Sequence, residues 1–272
     1  MTPKEAMQLA IQEAYKGWGR VYHNPMVGCV ILNQKGELIS KGFHREYGKD
    51  HAEVDAFKKA GASLEALKGA TVFVTLEPCA HQGKTPSCAK TMSQWPIKKV
   101  VYGLKDPNPL VQGKGLEILK NAGIVVEAFG DFSDELQELI EIFSFNMKHK
   151  EPFVALKVAT SLDGCLAYPE ESPLRWITGD KSREHCHFLR AHYDAIVIGK
   201  NTLLMDNPFL TVRHKDFPNH KNKVVIFWGK GLEKEIFRKT NVYQSHGEKE
   251  IFLVAPKKTF EDPKVIWIES SA

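Results

Sequence analysis

ATVFVTLEPCAHQGKTPSC, residues 70–88, is the run on which the fold turns. Its first seven residues are apolar or β-branched with no polar alternation, the pattern of a strand buried on both faces of a sheet. Pro78 stops that strand, and Pro78-Cys79 is expected to open a helix. Cys88 lies nine residues beyond Cys79, and SCAKTMSQW (87–95) reads as a helix of its own. Upstream, HAEVDAFKKAG (51–61) has apolar residues at helical spacing and a stopping Gly61, so His51 and Glu53 lie at a helix start.

Working outward, residues 3–16 read as a first helix. VGCVILN (27–33) and LISKGFH (38–44) read as two strands joined by a turn at QKGE. Downstream come a strand, IKKVVYGL (97–104), a helix, GKGLEILKNAG (113–123), and a strand, IVVEAF (124–129). A helix, a hairpin and then alternating strands and helices predict a three-layer α/β domain over residues 1–147. DELQELIEIFSFNMKHK (134–150) reads as its closing helix and connector. After Glu151-Pro152 the pattern restarts in a second α/β domain, 151–272. Strands are expected at FVALKVATSLDG (153–164), AIVIG (195–199), KVVIFWG (223–229), EIFLVA (250–255) and KVIWIE (264–269), with a helix at SREHCHFLRAHY (182–193).

Hydrophobic residues make up 43% of the 272, enough for two cores, and no stretch approaches the length of a membrane span. The N-terminus is amphipathic and carries no apolar signal core, so a cytoplasmic protein without a membrane partner is expected. The net charge is +4 with Lys and Arg scattered, which suits an anionic small substrate and gives no basic groove for nucleic acid. Five cysteines without a signal argue for metal chemistry rather than disulfides.

His51, Cys79 and Cys88 form a sensible three-ligand zinc set, which leaves the fourth tetrahedral position to water. Helix starts favour thiolate and hydroxide there, and zinc brings the pKa of its water towards neutrality. Glu53, two residues beyond His51, is placed to take a proton from that water and pass it on. Zinc deaminases of nucleobases use His-x-Glu with Pro-Cys-x-x-Cys, whereas eight residues separate the two cysteines here. A purely structural zinc would want a fourth protein ligand, for which His44 and His81 are the candidates. His185-Cys186-His187 face different ways on a helix and carry no metal reading.

Together, HNPMVGCVI (23–31), GFH (42–44), HAEVDAF (51–57), TLEPCAHQGKTPSC (75–88) and DPNP (106–109) resemble the RibD family of bacterial bifunctional riboflavin-biosynthesis proteins. KVATSLDG (157–164), RWIT (175–178) and LRAHYDAIVIGKNTLLMDNPFLTVR (189–213) extend the resemblance to its reductase part. The resemblance implies a cytidine-deaminase-like domain followed by a dihydrofolate-reductase-like α/β domain. It implies that His51, Cys79 and Cys88 bind Zn2+, that Glu53 shuttles protons, and that Asn24, His44, Lys84, Asp106 and Asn108 contact a phosphorylated aminopyrimidine. Asn24 offers a donor and an acceptor to a ring edge, and Lys84 offers a point charge to phosphate. In the second domain it implies NADPH, with Trp176, Thr202 and Asp206 at the cofactor and Arg190, Leu210 and Arg213 near the substrate.

Two departures bear on the reductase. Phe227-Trp228 follow a strand after which the family usually has an aspartate, and no glycine-rich turn follows residue 231 to cradle a pyrophosphate. The expectation is a chain that deaminates but does not reduce, with a reductase-like domain incomplete at its C-terminus that can bury its sheet against another copy of the chain. Two other readings are a free-base or nucleoside deaminase, disfavoured by the spacer and the Asp106 loop, and a non-catalytic scaffold with four zinc ligands.

Overall fold

The computed structural model describes residues 1–83, 85–109, 111–169, 171–174, 176–231 and 233–270. The chain divides into two compact units, Met1–Ala155 and Leu156–Ala272.

Unit one is a five-stranded sheet between helices. Its strands are β1 (Gly28–Leu32), β2 (Leu38–Phe43), β3 (Thr71–Leu76), β4 (Lys99–Leu104) and β5 (Val125–Ala128). Their order is β2-β1-β3-β4-β5, with β1 antiparallel to β2 and β3, and β3-β4-β5 parallel. The period-2 alternation of strand side chains sorts two apolar sets to opposite faces. Cys29, Ile31, Val72, Val74 and Val100 pack with Ala52 and Ala56 of α2 (Ala52–Lys59), Met92 of α3 (Cys88–Met92) and Leu119 of α4 (Lys114–Asn121). Val30, Phe73 and Val101 pack with Met7 and Ile11 of α1 (Pro3–Ala14) and Leu136 and Leu139 of α5 (Ser133–Lys148). This is the expected three-layer arrangement. The central strand β3 is buried along nearly its whole length, which is why TVFVTL shows no polar alternation.

α1 lies so close to the sheet that only glycine fits where β1 begins. A Cβ on Gly28 would fall 1.9 Å from the Ala10 carbonyl oxygen and 2.7 Å from the Ala14 nitrogen. Both obstacles are backbone, so relief requires moving the helix. Gly28→Ala is therefore expected to cost about 1–3 kcal/mol, as overpacked sites do, and to lower the urea midpoint at unchanged slope. An unchanged midpoint would show that α1 yields freely.

Unit two holds four parallel strands, β6 (Ala195–Gly199), β7 (Lys223–Phe227), β8 (Ile251–Ala255) and β9 (Val265–Glu269), in that order. α6 (Asp180–Arg190) precedes β6. Three helices not foreseen in the sequence lie in the connections: α7 (Lys200–Asp206), α8 (Lys234–Arg238) and α9 (Asn241–Ser245). Leu203, Phe237 and Val242 of these helices form a core with Val224, Ile226, Ile251 and Leu253.

The strand expected at 153–164 is not formed. Residues 153–160 have no regular structure, and Val154 and Leu156 are 79% and 88% exposed. A strand needs a neighbour for its N–H and C=O groups, and among the described residues β6 to β9 pair only with one another. Residues 161–165 instead close a small turn, in which the Cys165 N–H donates to the Ser161 hydroxyl at 3.0 Å.

Candidate active site

His51 occupies the N-cap of α2 in extended conformation, and its ring makes no capping bond, so it is free for another partner. Its Nδ1 lies 3.6 Å from the Cys79 sulfur and 3.4 Å from the Cys88 sulfur. The three donor atoms all fall within 4.8 Å of one another, and among the described residues no fourth His, Cys, Asp or Glu joins them. One imidazole nitrogen and two sulfurs at that spacing suit zinc. The outer ring nitrogen, Nε2, is 3.2 Å from the Thr85 hydroxyl. With Nδ1 turned to the sulfurs, Nε2–H donates to that hydroxyl, which fixes the tautomer and the ring plane.

The two cysteines reach this point differently from expectation. Cys79 does not open a helix. Among its described residues the spacer carries no helix before Ser87, and α3 starts at Cys88. Gly83 and Pro86 break the spacer, and Ser87 supplies the N-cap by accepting from the Lys90 N–H. Ser87 also donates its hydroxyl to the Cys79 carbonyl at 2.8 Å, tying the two ends of the spacer together. Cys79 therefore receives one N–H from the start of α3, the Cys88 amide at 3.3 Å from its sulfur. The hydrogen bond from the Cys88 thiol, then those from His51 and the Cys88 amide, hold the Cys79 thiol well below its ordinary value. Cys88 is pushed up, because its thiol proton is held by the Cys79 sulfur and because it is buried.

Glu53, on the first turn of α2, is 3% exposed, and burial raises its carboxyl above the usual range. His44 is 4% exposed. Its Nδ1 lies 3.0 Å from the Asp50 carbonyl, which can only accept, so Nδ1 carries the proton. Nε2 is left to accept from the Asn24 amide at 3.0 Å. Burial lowers the pKa of His44, in keeping with this neutral form. Both ring nitrogens are thus engaged, so His44 does not serve as a fourth ligand.

Asn24, His44, His51, Glu53, Cys79 and Asp106 line one cavity of about 380 Å3. Asp106 is 7% exposed, and burial raises its carboxyl. Asn108 is not among the lining residues, but its N–H donates to Asp106 Oδ1 at 2.9 Å, so the two act as one loop. Lys84 lies outside the described residues. The cavity also has walls that the sequence reading missed: Glu77, Tyr47 and Phe143. Phe143 comes from α5, far along the chain, and no local pattern announces it. Thr85 lies in the spacer whose unusual length was the available signal.

In unit two, Arg190 donates to the Thr211 carbonyl and Arg213 to the Thr211 hydroxyl, at 3.4 and 3.3 Å. Leu210 between them is 4% exposed with φ +54°, so its side chain packs inward. Trp176 is 61% exposed beside the Arg183 guanidinium, and Thr202 and Asp206 are exposed on α7. Trp176, Thr202 and Asp206 thus stand at the surface of unit two.

A sheet flanked by helices, with one histidine and two cysteines converging at the C-terminal end of its central strand, defines a zinc deaminase domain of the cytidine-deaminase type, here followed by a second α/β unit. Residues 1–104 match the cytidine and deoxycytidylate deaminase zinc-binding region, and residues 152–249 match the RibD C-terminal domain. A RibD structure from Acinetobacter baumannii superimposes with a TM-score of 0.84 at 36% identity, covering 99% of this chain and 74% of that one. A Thermotoga maritima structure described as a diaminohydroxyphosphoribosylaminopyrimidine deaminase/5-amino-6-(5-phosphoribosylamino)uracil reductase gives 0.83 at 38%, covering 98% and 74%. The riboflavin biosynthesis protein RibD of Aquifex aeolicus is 43% identical over 230 residues, 85% of this chain and 62% of that protein. The chain belongs to the RibD family. It spans 62% and 51% of the length of the curated RibD relatives from Aquifex aeolicus and Synechocystis.

Among the described residues, no helix is long and apolar enough to cross a membrane.

Proposed function

We propose that unit one hydrolyses an exocyclic amino group from a diamino-hydroxy-pyrimidine carrying a phosphoribosylamino substituent, a step of riboflavin biosynthesis. The observation that supports this most is the convergence of His51, Cys79 and Cys88 at one end of a cavity that also holds the buried Glu53.

Zinc held by those three side chains would act as a Lewis acid that makes water nucleophilic at neutral pH. Glu53 carries one proton from the attacking water to the ring nitrogen and a second, from the hydroxyl so formed, to the leaving amine. The water oxygen bonds to the ring carbon, the exocyclic C–NH2 bond breaks, a carbonyl forms and ammonia departs. Burial suits Glu53 to this work, because a carboxyl raised towards neutrality both accepts and returns a proton. Asn24 spends its amide N–H on His44 and presents its carbonyl oxygen to donors on the substrate. Asp106 and Asn108 hold the far edge of the ring, and Lys84 reads the phosphate. The free thiols of all five cysteines suit a cytoplasmic setting.

In this reading, NADPH-dependent reduction of the ribosyl group belongs to unit two, whose residues 152–249 match the RibD C-terminal domain. The test follows ammonia release and NADPH oxidation in one reaction, with cytidine and guanine as alternative substrates. Ammonia from the phosphoribosylamino pyrimidine and none from the other two is the expected result. Preference for cytidine would make this a nucleoside deaminase, and NADPH oxidation that depends on the deaminated product would assign the reduction to unit two.

A further inference from the structure

The residue after β3, Glu77, has a role that its place beside Pro78-Cys79 conceals. It is 4% exposed, yet its carboxylate is committed to backbone. One oxygen, Oε2, accepts from the Asp106 N–H at 3.2 Å and the Gly113 N–H at 3.0 Å. The other, Oε1, accepts from the Gly115 N–H at 3.2 Å.

These amides belong to the loop after β4 and to the start of α4. Gly113 is the N-cap of that helix, in left-handed conformation at φ +83°, and has no side chain with which to cap it. The first amides of a helix have no partner within it and favour negative charge. Glu77 supplies both acceptor and charge from the neighbouring strand. The contact is close: a Cβ on Gly115 would fall 1.9 Å from the Pro78 carbonyl oxygen. Three consecutive residues therefore join two parts of the site. Glu77 anchors the loop of Asp106 and Asn108, and Cys79 faces His51 and Cys88.

We propose that Glu77 is a positioning residue: it sets the Asp106–Asn108 loop at a fixed distance from the metal-binding cysteines and so determines how tightly the substrate ring is held. This rests on the deaminase reading for its substrate but not for its geometry. Glu77→Gln keeps the volume and one acceptor oxygen but turns an NH2 towards an N–H. It leaves His51, Cys79 and Cys88 untouched.

The test combines amide exchange with kinetics on the intact chain. In Glu77→Gln, exchange at Asp106, Gly113 and Gly115 accelerates without substrate present. KM rises about tenfold or more, the worth of a charge-assisted bond or two, while kcat falls less than threefold and zinc content is unchanged. Asp106→Ala raises KM in the wild-type background but adds little to Glu77→Gln, because the loop is already released. Glu77→Asp keeps the charge with a shorter reach, falls between the two, and carries the same readouts if Glu77→Gln does not fold. Unaltered exchange at the three amides, full additivity with Asp106→Ala, or a lowered melting temperature at unchanged KM would each overturn the proposal. If the wild-type chain releases no ammonia, the functional reading fails, and the exchange rates still decide whether Glu77 holds the loop.

Discussion

Glu53→Gln is expected to lower deaminase turnover about 10²–10⁴-fold, the usual worth of a positioned general acid–base, with zinc still bound. The substitution preserves size and burial. Glu53 is 3% exposed among packed neighbours, so a change of shape there would disturb α2, and Gln avoids one. It does not touch the donor set of His51, Cys79 and Cys88. Only the capacity to take and return a proton is removed. The loss should therefore fall on kcat, with KM close to that of the wild type, since ring contacts are made by other residues. Stopped assays of ammonia alongside metal analysis separate the two effects. Near-full turnover in Glu53→Gln would move the proton shuttle to another group, and Asp106, a further buried carboxyl at the cavity, would be the one to examine.

Removing a ligand should be more severe. Cys88→Ser is expected to abolish measurable deamination and to strip the zinc, because a hydroxyl is a far poorer ligand than a thiolate. The loss should extend to stability. Cys88 is the first residue of α3 and 1% exposed, and a metal bound only by the folded state contributes its binding free energy to folding. Chelator treatment of the wild type should therefore lower the unfolding transition of unit one, and added zinc should restore transition and activity together. In Cys88→Ser, zinc should restore neither. A chelated protein that keeps both its activity and its melting behaviour would remove metal from the account.

The parts of this molecule legible in its sequence are those where local pattern and burial agree. TVFVTL is apolar throughout because β3 is covered on both faces. HAEVDAF opens on a histidine because the N-cap leaves that side chain free to turn to the sulfurs. The strand expected at 153–164 had a reasonable composition but no partner, and pairing is a property of the neighbour rather than of the run itself. The helices α7, α8 and α9 are short, at seven, five and five residues. Segments of that length show too few turns for a 3.6-residue period to stand out. Cys79 was expected at a helix start, yet the spacer's Gly83 and Pro86 delay the helix to Cys88, so only one of the two cysteines stands there. Glu77 passed unremarked because its partners are backbone amides 29 to 38 residues away, which leave no mark on side-chain pattern.

The central claim is an open zinc site, and anomalous diffraction at the zinc edge on crystals of the purified protein tests it most directly. The account predicts one peak per chain, bonded to His51 Nδ1 at about 2.0 Å and to the sulfurs of Cys79 and Cys88 at about 2.3 Å. The fourth direction should face the cavity that holds Glu53, with no protein atom in it. A fourth protein ligand closing that direction would make the zinc structural, and the absence of any peak among these three side chains would contradict the account outright.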